Sequence, residues 1–147
     1  MSKVALLIID VQKDPARKSK LPEKIAALQA KYKHIFVSQF QNKKSPILKL
    51  VKWAGYQDDN LAFTPAPHAV VFRKTGYSAY LLEMSAFDEI HLCGCYTDCC
   101  IYKTAMDLIE KGIRPVVLKD YCFSRNKRCH NMGLQLLAHN IGTRNIR

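Results

Sequence analysis

Cys100 closes the run His91-Leu-Cys-Gly-Cys-Tyr-Thr-Asp-Cys-Cys-Ile101, in which an apolar strand meets a glycine corner at Gly94 and a helix begins. Behind it Ile101, Ala105, Leu108 and Ile109 recur at i, i+4, i+7 and i+8, the stripe of a helix packed on a sheet, and Gly112 ends it. Thr97 is the N-cap expected from type, which puts Cys100 at N3 in the first turn. Unpaired N–H groups and the positive end of the dipole favour an anion there, so the thiol is expected to ionise more readily than a free one of pKa about 8.5. A thiolate attacks carbonyls, and the same N–H groups can hold the oxyanion that forms.

A nucleophile needs a base and a counter-charge, and two candidates stand at equivalent places. Residues 3–9 form an apolar run of buried parallel-strand type followed at once by Asp10; residues 69–72 form another, followed by Arg73 and Lys74. In open parallel sheets functional groups gather at the carboxyl ends of strands, so Asp10, Lys74 and Cys100 can share one crevice. The elements that must hold them read as strands at 3–9, 34–38, 69–72, 89–93 and 115–118. These alternate with helices at about 21–33, 78–86, 98–111 and 127–139. That alternation predicts a three-layer α/β/α fold around a mostly parallel, Rossmann-like sheet of five to six strands, in one domain over residues 1–147.

Three ordered blocks resemble the isochorismatase-like superfamily of cysteine hydrolases, which includes nicotinamidases, N-carbamoylsarcosine amidohydrolases and ureidoacrylate-type amidohydrolases. They are Leu7-Ile-Ile-Asp-Val-Gln12, Lys74-Thr-Gly-Tyr-Ser-Ala-Tyr80 and Gly94-Cys-Tyr-Thr-Asp-Cys-Cys-Ile101, and the likeness continues through Gly112-Ile113 and Val116–Asp120 to His130. The resemblance implies Cys100 as nucleophile, Asp10 as general base and Lys74 as stabilising cation or proton donor. It places the nucleophile six residues after the corner glycine, which selects Cys100 over Cys99. It also implies a cis peptide at Cys95–Tyr96 and an oxyanion or substrate site near Tyr96, Thr97 and Gln12. The activity it implies is hydrolysis of a C–N bond in a small amide or carbamoyl compound through a thioester, with no organic cofactor.

The departures from that pattern are also informative. The nicotinamidase branch binds a metal through an Asp and a His just after the second strand, whereas this chain has Gln39, Phe40 and Gln41 there. Glutamine lacks the charge and the imidazole of a divalent site, so no metal is expected. His68 reads as a solvated loop histidine. After Asp10 the chain runs Lys13-Asp14-Pro15 without the usual aromatic, little room remains before a helix near Leu21 for a covering loop, and a sixth strand would barely have begun at Ile146-Arg147. Loops set specificity, so these changes bear on substrate more than on reaction type.

Composition fits a globular chain of ordinary single-domain size. Six cysteines without Cys-x-x-Cys spacing fit reduced thiols rather than a disulfide scaffold or zinc site. Val4 to Ile9 is too short for a membrane span or signal peptide, so a cytoplasmic location is expected. The formal charge of +11 is uneven, with 12 Lys/Arg against 3 Asp/Glu in residues 1–52. A basic face could bind nucleic acid or steer anionic substrates, but no motif with interleaved aromatics accompanies it. Lys49 to Tyr56 reads instead as a helix packing Ile47, Leu48, Val51 and Trp53. The expected partners are a small-molecule substrate and further copies of the chain in a homo-oligomer, with no nucleic acid and no membrane. A catalytically idle domain kept for assembly is the rival reading, and the reactivity of Cys100 separates the two.

Overall fold

Strands Val4–Ile9 (β1), Ile35–Phe40 (β2), Val70–Lys74 (β3), Glu89–Cys95 (β4) and Arg114–Phe123 (β5) form one parallel sheet in the order β3-β2-β1-β4-β5. The structure is a computed structural model that describes residues 1–16 and 19–147. Part of the segment between Asp14 and Leu21 therefore lies outside the described residues. The chain steps outward from β1 through β2 to β3, then returns to the other side of β1 with β4. The topological switch between β1 and β4 opens a crevice at their carboxyl ends.

Period-two alternation along β1 divides the interior into two layers. Ala5, Leu7 and Ile9 face a core completed by Ile101, Ala105, Leu108, Leu137 and Ile141, all buried. Leu6 and Ile8 face a second core with Leu21, Ile25 and Leu28. The helices are Lys13–Ala16 (α1), Leu21–Leu28 (α2), Pro46–Val51 (α3), Tyr102–Glu110 (α4) and Lys127–Ile141 (α5), of which α2 supplies the second core and α4 and α5, with Ile101 just before α4, the first. Each fully buried Leu or Ile contributes about 1.5–3 kcal/mol relative to exposure, so β1, with its last five residues buried, anchors the sheet on both faces. No helix among the described residues is long and apolar enough to cross a membrane.

Several elements differ from the sequence expectation, for local reasons. The helix expected at 78–86 is a short 3₁₀ stretch, Leu82–Ala86. The Ala79 N–H donates to Thr104 Oγ1 and the Tyr80 N–H to Ser78 Oγ, and Leu81 is extended, so the helical turn begins only at Leu82. The α-helix expected over 21–33 stops at Leu28 and finishes in a 3₁₀ turn, Gln29–Lys31, with Tyr32 extended. Strands β2, β3 and β5 run further than expected, so Phe40 pairs with Lys74 inside the sheet. Helix α3 ends at Val51, with Lys52 left-handed, and buries none of its residues; Val51 is exposed and Trp53 lies beyond the helix. Ile146 makes one isolated parallel bridge to Val117, the trace of a sixth strand.

Candidate functional site

Register places the charged strand ends side by side. Ile9 pairs with Ser38 on one side and Gly94 on the other, so Asp10 emerges between the ends of β2 and β4. Asp10 turns the chain at φ +51°, a left-handed conformation that Asp adopts more readily than most residues. Gly94, at φ +115°, lets β4 press against this corner: a Cβ there would sit 2.0 Å from the Ile9 carbonyl oxygen. The Asp10 carboxylate is fully buried, and its Oδ1 accepts a hydrogen bond of 2.7 Å from the Ser38 hydroxyl. Its Oδ2 has no hydrogen-bond donor among the described residues but faces the Lys74 ammonium, 2.8 Å away, as an ion pair.

Lys74 gathers the cluster. Its Nζ lies 3.4 Å from Cys100 Sγ, donates to the carbonyls of Gly76 at 2.7 Å and Tyr77 at 3.2 Å, and stands 5.3 Å above the centre of the Phe40 ring. Burial lowers the pKa of this ammonium, but Asp10 and Cys100 more than compensate, so the net shift is upward and Lys74 is a fixed cation. The sulfur behaves otherwise than the helix-start argument predicts. Burial pushes the Cys100 thiol far up and the neighbouring Asp10 charge adds to this; Lys74 opposes both and loses. The resting cluster is therefore a neutral thiol beside the Asp10–Lys74 ion pair.

The backbone around the sulfur also departs from expectation. The Cys95–Tyr96 peptide is cis. Residues Thr97–Ile101 form a wide π-type turn before α4, with Tyr96 at the capping position and no side-chain cap. The Tyr96 carbonyl accepts from the Cys99 N–H at 3.1 Å and the Ile101 N–H at 3.2 Å, but not from the Cys100 N–H between them. Thr97 is no cap: fully buried, it places its hydroxyl 2.7 Å from His130 Nδ1 and pins the turn to α5.

A cavity of about 620 Å³ opens onto Cys100. Its wall includes Tyr96, Asp98, Cys99 and Arg125, the aromatic side chains of Phe40, Trp53, Tyr56 and Tyr77, and Asp14, Pro15, Ile47, Val51 and Lys52. Of the residues expected to touch substrate, Tyr96 lines this space and Thr97 and Gln12 do not. Gln12 is fully buried; its amide donates to the carbonyls of Phe40 and Asp59 and accepts the Phe40 N–H, which ties β1 to β2 and to the 57–60 segment. The sequence reading missed Ser38, whose only signal was a polar residue in a buried strand. It also missed Tyr56 and Arg125, which reach the cavity from distant loops.

Beside Phe40 a smaller hollow of about 240 Å³ is lined by Gln39, Gln41, Lys43, Asp59, Asn60 and Arg73. It holds one carboxylate against two cations, and Gln39 spends its amide nitrogen on the Asp59 carbonyl at 2.9 Å. Among the described residues no three His, Cys, Asp or Glu side chains come together as metal ligands. This donor set does not fit a divalent ion. His68 is exposed, its Nε2 3.3 Å from the Tyr32 carbonyl oxygen.

Comparison with known proteins places the arrangement. Residues 4–144 match the family model described as the isochorismatase domain. An uncharacterized isochorismatase family protein, PncA, of Bacillus subtilis (strain 168) is 36% identical over 83 residues, covering 52% of this chain and 45% of that relative, so the matched stretch spans about half of each. The structure of nicotinamidase PncA from Bacillus subtilis superposes with a TM-score of 0.77 at 23% identity, covering 95% of this chain and 97% of that one. Pyrazinamidase/nicotinamidase from Streptococcus mutans UA159 gives 0.78 at 21%, covering 98% and 99%. Pyrazinamidase of Pyrococcus horikoshii in complex with zinc gives 0.78 at 17%, covering 99% and 97%. At these identities the structural likeness establishes the shared fold.

Proposed function

The chain belongs to the isochorismatase family, and from that membership we propose that it is a cysteine hydrolase cleaving the C–N bond of a small amide or carbamoyl compound. The observation that carries this reading is the cluster of Asp10, Lys74 and Cys100, of which Cys100 lines the cavity, with the ammonium 2.8 Å from the carboxylate and 3.4 Å from the sulfur.

In the proposed cycle the Cys100 proton passes to Asp10 as the sulfur attacks the scissile carbonyl, and Lys74 balances the charge on the sulfur. The C–S bond forms and the carbonyl pair becomes an oxyanion. The Cys100 N–H, passed over by the Tyr96 carbonyl, is placed to receive it. Asp10 returns the proton to the leaving nitrogen as the C–N bond breaks, which leaves a thioester. Water then attacks the thioester carbonyl while giving a proton to Asp10; the acid departs and the thiol regains its proton. A carboxylate serves here because its partner thiol is neutral at rest: the proton must move during attack, and Asp10 is the acceptor at hand. Since the hollow at Gln39 and Gln41 does not fit a divalent ion, no step passes through a metal.

The test is ammonia release from a panel of acetamide, N-carbamoylglycine, nicotinamide and ureido acids, set against a Cys100→Ala control. Turnover lost in the control supports the reading. Turnover that survives it removes Cys100 as the nucleophile, and a wild-type protein silent across the panel replaces the reading with the idle-domain alternative.

A further inference from the structure

Tyr56 is the part of the cavity wall for which the hydrolytic cycle has no task, and its setting is built with some care. The ring stands edge-on to Trp53, centroids 4.9 Å apart, and to Phe40 at 5.9 Å. Its backbone is held at both ends by one side chain: the Tyr56 N–H donates to Asn42 Oδ1 at 3.2 Å, and Asn42 Nδ2 donates to the Tyr56 carbonyl. Gly55 turns the chain into this clasp at φ +80°, and a Cβ there would meet Asn42 Cγ and Leu48 Cδ2 at 3.0 Å. Ring and backbone are thus fixed on the wall of the cavity that Cys100 also lines. Burial, with the Asp10 charge adding to it, keeps the Tyr56 hydroxyl protonated far beyond the ordinary phenol range. Among the described residues this hydroxyl has no hydrogen-bond partner, so a rigid neutral donor is left on a wall shared with Cys100.

We infer that the Tyr56 hydroxyl is a substrate-binding group, donating a hydrogen bond to an oxygen or nitrogen acceptor that the substrate carries next to the scissile bond. The inference rests on the reading of Cys100 as nucleophile. It narrows the substrate class to amides or carbamoyl compounds with such an acceptor on the side facing Tyr56. Compounds that present only hydrocarbon there would leave the phenol desolvated and unpaired, and be rejected.

Tyr56→Phe isolates the hydroxyl, because it keeps the ring against Trp53 and Phe40 and leaves the Asn42 clasp intact. On the fastest substrate of the panel named above, kcat/KM is expected to fall about tenfold, mostly through KM, with the melting temperature unchanged. A kcat/KM within about twofold of wild type overturns the inference, and so does a loss matched by a fall in melting temperature, which would make the residue structural. A second readout is independent of turnover: the rate of Cys100 alkylation by iodoacetamide, which carries an acceptor, relative to methyl iodide, which carries none. Tyr56→Phe should lower that ratio by a similar factor, and an unchanged ratio overturns the inference even in a protein that hydrolyses none of the panel. Wild-type silence on the panel, by contrast, counts against the hydrolytic reading alone.

Discussion

Replacing Asp10 by Asn should drive the reactivity of Cys100 and the turnover of the enzyme in opposite directions. The carboxylate and the sulfur are bridged by one ammonium, 2.8 Å from the first and 3.4 Å from the second, and the negative charge of Asp10 is one of the two causes that hold the thiol neutral. Since both reach one ammonium, they lie no more than about 6 Å apart, and unit charges at that limit with an effective dielectric of about 20 interact by about 3 kcal/mol, which sets a lower bound of about two pKa units. Asn removes that repulsion, keeps an oxygen for the Ser38 hydroxyl, and frees Lys74 to pair with the thiolate. Below the thiol pKa in both proteins the thiolate fraction rises about 100-fold, while lower basicity makes each thiolate less nucleophilic, so alkylation at pH 7 should quicken about tenfold. Turnover should fall by about 10² to 10⁴ because the proposed proton acceptor and water activator is gone. The assay is the iodoacetamide rate at Cys100, followed by peptide mapping between pH 6 and 10, beside ammonia release. In the wild type the rate should keep rising into the alkaline range, and in the variant that rise should begin at lower pH. An Asp10→Asn protein whose thiol reacts more slowly, or no faster, than wild type would show that the carboxylate does not hold the thiol neutral.

The structure also predicts a loss of stability at alkaline pH. Burial raises the pKa of Cys93, Cys95, Cys100 and Cys122, so the folded chain keeps protons that the unfolded chain releases above the ordinary thiol range. Stability should decline as pH rises past about 8.5, by about 1.4 kcal/mol per pH unit for each such thiol. Melting temperatures from pH 7.5 to 10 would show this, and a flat profile that Cys93→Ala leaves unaltered would refute it. For metal, the two cations and single carboxylate around Gln39 and Gln41 predict purified protein without stoichiometric zinc, iron or manganese, and activity indifferent to chelators. Elemental analysis finding about one tightly bound ion per chain would contradict the donor-set argument.

What could be read from the chain follows from how far apart the determining groups lie. The β1 run Val4–Ile9 is apolar because a central parallel strand is covered on both faces, and the polar residue that ends it must sit at the sheet's edge. The same logic places Lys74 and Cys100 within reach of Asp10, since register in a parallel sheet aligns strand ends. The helix expected at 78–86 begins only at Leu82 because the chain before it is extended at Leu81 and tied at the Ala79 N–H to Thr104 of α4, 25 residues away and invisible to periodicity. Thr97 failed as a cap for a similar reason, its hydroxyl being claimed by His130 of α5. The thiol departs from the helix-start expectation because burial and the neighbouring Asp10 carboxylate, neither visible in local sequence, both hold it neutral. A dipole term of about 0.3–1 kcal/mol does not offset either. The same contrast explains why a reactive cluster can be legible while its substrate is not. The proposed catalytic cluster is fixed by the sheet, whereas Tyr56 and Trp53 on the cavity wall come from the loop after α3, held by an Asn42 clasp that spans 14 residues and leaves no mark in local hydropathy.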